Sequence, residues 1–251
     1  MTSSISRRSV LAAALVGSVG VLAGRPSTAA AERNRSSWVR SEGFRYLDRS
    51  GWEANESYRF QPDGTEIFPP AYFNVQTLTV HHTVTANSDE NPAATVRAIY
   101  FDQAVTKGWG DIGYHLMIDQ AGTVYEGRYS GSDFVPVFGP RRVGPYPSMV
   151  NAAHVGGFNA GNIGIALLGD LTSTGPTEAA YSSLTHALAA LAAVTRLDPL
   201  GSTNYVNPIS GATRTVRTIA GHRDWGATEC PGNAFYPDLP QLRQDVAGLM
   251  A

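Results

Sequence analysis

Cys230 is the single cysteine of the 251-residue chain, and His222 precedes it by eight positions in the stretch GHRDWGATECPG, residues 221–232. A thiolate and an imidazole are both good zinc ligands, and two of them set by one tight loop need a third from elsewhere. His81, just after the apolar run Leu78-Thr79-Val80, is the candidate. Two histidines and a cysteine leave one corner of a tetrahedral zinc open, which is the pattern of a catalytic centre rather than a structural one. Taken alone, a lone thiol could equally be a buried small hydrophobe or a reactive group. Cys230 could also be a nucleophile with a histidine base. Pro231 directly after the thiol and a second, distant histidine fit zinc better. The pattern implies a zinc hydrolase.

These residues need elements to hold them. Val75–Val80 reads as a strand delivering the pair His81-His82, and successive strand residues face opposite sides, so only one of the pair can reach a given metal. Thr77, Thr79 and His81 share the more polar face, which favours His81 as ligand and leaves His82 packed. Asn91-Pro92 is a capped helix start, with Val96, Ile99, Tyr100 and Gln103 at helical spacing and Lys107-Gly108 as the stop. Residues 114–118 and 123–125 read as a hairpin around the turn 119–122. Ile163–Leu168 reads as a buried strand. Tyr181, Leu184, Leu188, Leu191 and Val194 form the stripe of the strongest helix, with His186 off it and solvated. Thr215–Ala220 is a strand delivering His222, and Leu239, Leu242, Val246 and Leu249 pattern a closing helix. The Gly- and Pro-rich stretches 130–150 and 198–214 read as long loops. This order of elements indicates an α/β fold, a central mixed β-sheet flanked by helices in one domain.

Residues 1–31 read as a signal peptide of the twin-arginine type: Arg7-Arg8, an apolar run, then Ala29-Ala30-Ala31. That expectation makes the protein secreted, extracellular or wall-associated. Without the leader's three arginines, 16 basic residues face 21 acidic ones, a net charge of −5. A mildly acidic chain without a basic cluster is a poor nucleic-acid binder. No later stretch approaches the ~20 apolar residues of a membrane span, so no membrane contact is expected after leader removal. Residues 32–70, polar and irregular, are expected to form an arm packed on the domain through Trp38, Trp52 and Phe60. Residues 71–251 would be the domain itself.

Five blocks in order resemble one family: Val80-His81-His82-Thr83; Gly108-Trp109-Gly110-Asp111-Ile112-Gly113-Tyr114-His115; Gly122–Arg128; Ala153–Asn159 with Asn162–Ile165; and Gly221–Asp224 with Thr228–Gly232. The chain is similar to the zinc-dependent N-acetylmuramoyl-L-alanine amidases, which include the peptidoglycan recognition proteins and the amidase-type phage lysozymes, and would be a secreted bacterial member. The resemblance implies that fold, Zn2+ held by His81, His222 and Cys230, and peptidoglycan (muramyl peptides) as the partner of a monomer. It implies that the Tyr114 hydroxyl assists the metal-bound water or the developing oxyanion and that Thr228 sits where catalytically active recognition proteins carry threonine and the phage lysozymes carry lysine. Members that only bind peptidoglycan have lost the cysteine, commonly to serine; this chain keeps it.

Other positions stay open between roles. Tyr114, read without the resemblance, is an ordinary strand core residue, and His115 on the opposite face is structural. His154, before a Gly-Gly turn, either lines the substrate groove or caps a loop. Trp109 and Phe158 are groove wall or core, and Arg128 or Arg141 could pair with a stem-peptide carboxylate.

Overall fold

The computed structural model describes residues 38–251 apart from 42–43, 132–135 and 144–145; the expected leader lies outside the described residues. Twelve strands and three α-helices are present among them. A seven-stranded mixed sheet has the order β1-β2-β6-β5-β9-β4-β12. Its members are β1 (Trp38–Ser41), β2 (Phe44–Leu47), β6 (Val124–Glu126), β5 (Leu116–Ile118), β9 (Asn162–Leu167), β4 (Thr77–His82) and β12 (Ile219–Gly221). The strands β5, β9, β4 and β12 run parallel to one another.

Every residue of β4, β5 and β9 is buried, because both faces of the sheet are covered. On one face lie helix α1 (Pro92–Phe101) and Trp52, packed on Met117, Tyr125 and Ala166. On the other lie α2 (Glu178–Thr195) and α3 (Leu239–Leu249), packed on Leu78, Val80, Leu116, Ile118, Ile163 and Ile165. Side-chain caps set two helix starts, the first of them expected. Asn91 accepts from the Ala94 N–H, and Thr177 from the Ala180 N–H. The α1 helix does not stop at its end but continues as a π-helical turn, Asp102–Thr106, before Gly108 breaks it at φ +70.

Several stretches depart from expectation. The described part of the expected arm, from Trp38, is not irregular: β1 and β2 form a hairpin that joins the main sheet through β2 and β6. Trp52 is buried and donates its indole N–H to the Glu126 carbonyl, while Phe60 is 40 % exposed and pairs locally with Glu66; the Trp38 side chain lies outside the described residues. The stretch 130–150 holds β7 (Phe138–Val143) and β8 (Tyr146–Val150), which pair with β3 (Tyr72–Asn74) in a second sheet. The stretch 198–214 contributes β10 (Ser202–Val206), hairpinned to β11 (Thr213–Arg217). The single strand expected over 215–220 is therefore two, β11 and β12, with Thr218 between them.

Candidate metal centre

The parallel pair β4–β12 brings the distant histidines together. Val80 pairs with Gly221, so His81 and His222, each one residue further on, emerge side by side with ring centroids 4.6 Å apart. This is the crevice beyond the carboxyl ends of parallel strands, where α/β sheets place their ligands. Strand parity sorts the histidine pair as expected. His81 lies in register with Ala166 and Met117 on the α1 side; His82 lies with Leu167 and Ile118 on the other. There His82 Nδ1 accepts from the Leu171 N–H at 3.0 Å.

A short loop supplies the third group. His222–Asp224 forms a 3-10 turn, held by the Asp224 carboxylate accepting from the Gly221 N–H at 2.8 Å. The indole of Trp225 donates to Thr79 Oγ1 at 2.9 Å, tying the loop to β4. The Arg223 N–H then donates to the Cys230 carbonyl at 2.9 Å, and the Cys230 N–H to Thr228 Oγ1 at 3.2 Å. Cys230 Sγ ends 3.7 Å from His81 Nδ1 and accepts from the His82 backbone N–H at 3.4 Å. Beyond it, Gly232 at φ +103 lies against Leu171, where a Cβ would come 2.2 Å from the carbonyl oxygen. Gly232→Ala is therefore expected to lose about 1–3 kcal/mol from backbone conformation alone, with the collision adding to it. A denaturant midpoint equal to wild type would contradict this.

One candidate ligand atom from each of His81, His222 and Cys230 lies within 4.8 Å of the others. The donor set fits zinc in kind, two imidazole nitrogens and a sulfur. Burial pushes both imidazoles below their ordinary value, His81 furthest, which keeps their lone pairs free at neutral pH. Burial also pushes the Cys230 thiol up to about 12, against the pull of the His82 N–H and Arg223. A thiolate in this pocket needs a cation beside it.

Tyr114 sits in the loop before β5, not within the strand, with its ring 5.3 Å from that of His81. Burial and then the neighbouring Cys230 raise its phenol above the ordinary range, so it remains a hydrogen-bond donor. Thr228 and Glu229 are exposed at the rim. Trp109 keeps 37 % of its surface exposed, with Lys107 Nζ 5.3 Å from its ring centre. Phe158 packs on Tyr205 and Trp225, which places it with a small buried cluster, the core reading of the two. His154 is buried with both ring nitrogens engaged by protein, so it is not an open groove contact. His115 is likewise internal, between the Val150 carbonyl and the Gly164 N–H, and burial pushes it down to about 4. Arg128 is fully buried on Asp111 and cannot meet a stem peptide; the Arg141 side chain lies outside the described residues.

Asp111 is the important residue that sequence reading left without a role. Its carboxylate accepts from Arg49 at 2.9 Å, Arg128 at 2.7 Å, and the N–H groups of Ile112 and Tyr129. Burial acts to raise its pKa, but the two guanidiniums and two N–H groups outweigh that and hold it below the usual carboxylate range. The cluster fixes the loop 107–113 that leads into Tyr114, with Gln103 Oε1 of the π turn accepting from the Gly113 N–H at 2.7 Å. A Gly-rich run ending in aspartate was the available signal.

Comparison with known proteins adds three relatives. The human N-acetylmuramoyl-L-alanine amidase is 31 % identical over 163 residues, 63 % of this chain and 23 % of that protein. The chain thus spans about a quarter of the length of that curated relative. Among solved structures, tracheal cytotoxin bound to the ectodomain complex of peptidoglycan recognition proteins LCa and LCx contains a chain of TM-score 0.56 and 23 % identity, over 78 % of this chain and 95 % of that one. The amidase LysC from Clostridium intestinale gives a TM-score of 0.51 and 24 % identity, over 72 % and 91 %. At these identities the two structures speak for the shared fold. The family model described as N-acetylmuramoyl-L-alanine amidase matches residues 71–233, from before β3 to just past Cys230, and the chain belongs to that family.

Proposed function

We propose that the chain is a secreted zinc-dependent hydrolase that cleaves the amide between N-acetylmuramic acid and L-alanine in peptidoglycan. The convergence of His81, His222 and Cys230, with Tyr114 beside them, carries this reading. Support for a muramyl peptide as substrate comes from the family description and from the cytotoxin complex of the recognition proteins. A zinc ion held by the three side chains would supply Lewis acidity and water activation near neutral pH. Tyr114, kept protonated by burial, donates to the negative charge developing on the substrate carbonyl oxygen. Thr228 and Glu229, exposed next to Cys230, or the attacking water itself would pass a proton to the departing amine. Trp109, with over a third of its surface exposed, would offer a ring to the substrate. The expected 1–31 leader would carry the protein to its polymeric substrate.

Mass analysis of digested peptidoglycan tests the proposal. Free stem peptides beginning with L-alanine are expected, absent after chelation and restored by zinc. Binding to cell walls without any such release would replace the hydrolase with a passive wall binder. Tyr114→Phe is expected to lower kcat by ~10²–10³-fold, the typical loss of one oxyanion donor, at unchanged zinc content. A parallel loss of zinc would show the phenol to be structural.

A further inference from the structure

We infer that His154 is a positioning residue that fixes the tautomer of His81, so that Nδ1 rather than Nε2 of His81 is presented to the metal; the inference rests on the zinc reading above. His154 Nε2 lies 2.8 Å from the Asn162 carbonyl, and its Nδ1 lies 3.0 Å from His81 Nε2. A carbonyl can only accept, so the hydrogen sits on His154 Nε2, and Nδ1 of the neutral ring is a bare acceptor. The hydrogen in the second contact must then belong to His81 Nε2. That leaves the His81 Nδ1 lone pair facing Cys230 Sγ, 3.7 Å away. A doubly protonated His154 would put a buried charge against the rings of His81 and His115, and burying an unpaired charge is costly.

The surroundings are built for this chain of donors. Gly164 of β9 lies beneath the ring; a Cβ there would come 2.5 Å from His154 Cγ. Any larger residue would push the imidazole off the sheet. Asn162, whose carbonyl ends the relay, is pinned by its own side chain, which donates to the Phe158 carbonyl and accepts from Thr79 Oγ1. The loop that carries His154 is held by Asn159 Oδ1, which accepts from the N–H groups of both His154 and Val155. The group that receives a ligand histidine's other N–H orients the ring and raises its basicity, and its loss typically costs 10–100-fold in metal affinity. Here that group is an imidazole, and a backbone carbonyl behind it decides which way the relay runs.

Zinc affinity of the full chain, measured by competition with a chromogenic chelator, tests the inference without using activity. His154→Leu fills space but accepts nothing, and should weaken zinc binding by about 10–100-fold. His154→Asn places Oδ1 near the lost Nδ1 and should stay within a few-fold of wild type. Equal affinity in all three proteins, or an equal loss in both variants, overturns the tautomer role. Imidazole 15N spectra of zinc-loaded wild type need no substitution: protonated Nε2 is expected on both His81 and His154, and a proton on His81 Nδ1 overturns the inference. Zinc binding that survives Cys230→Ser at wild-type strength would instead sink the metal reading itself.

Discussion

Replacing Cys230 with serine is expected to reduce hydrolysis of peptidoglycan to background and to weaken zinc binding by well over 100-fold, beyond the 10–100-fold typical of groups one step removed from a metal. The cause is the donor atom. A thiolate is a soft, anionic ligand reachable near neutral pH once a cation stands beside it, whereas a serine hydroxyl stays protonated and hard. The change removes little else. Cys230 is only half-buried, and its backbone bonds to Thr228 and Arg223 do not involve sulfur. The metal-free variant should therefore unfold at nearly the denaturant midpoint of the metal-free wild type. Bound zinc per chain and released stem peptide are the readouts, and full turnover by the serine protein would end the metal assignment.

Asp111→Asn carries the largest expected effect on stability, a loss of about 3–5 kcal/mol, as for other buried ion pairs broken on one side. Both Arg49 and Arg128 are buried against this carboxylate, and neutralising it leaves two guanidiniums sharing one carbonyl oxygen. Glu56 still reaches Arg49 at 2.7 Å but is itself partly exposed, so it compensates weakly. Against a typical total of 5–15 kcal/mol, the change removes much of the margin. The pH dependence follows from the sign of the shift. The folded pKa lies below the unfolded value of 3.8, so the contribution is present above that value and is lost as pH falls through the lower folded one. Chemical denaturation at neutral pH measures it, and a midpoint close to wild type would show the cluster to be dispensable. Because Asp111 anchors the loop before Tyr114, turnover should fall even where the variant stays folded.

Where sequence patterning coincides with burial, the structure could be read in advance. The stripe of α2 and the apolar runs of β4 and β9 bury what they advertise, and the Asn91 cap forms where its sequence signals it. The parity of His81 against His82 followed from the same alternation. The strands that escaped notice lack that signal. In β10 and β11 a single residue each, Tyr205 and Val216, is buried, and the remainder faces outward or sits partly covered. Strand β7 contains Gly139 and Pro140, which argue against a strand by composition. The inward role of His154 depended on Gly164 lying opposite in space, and the burial of Arg128 on an aspartate seventeen positions away; neither is a property of local pattern.

The three metal-capable side chains come from β4 early in the domain and from the last strand with its loop. A cation seated there would act as a removable clasp between the two ends of the folding unit. By mass action, each tenfold rise in free zinc above the dissociation constant adds about 1.4 kcal/mol against unfolding. The melting temperature should climb with the zinc supplied and drop on starvation, making the lifetime of the folded chain a gauge of metal supply as well as of its own sequence.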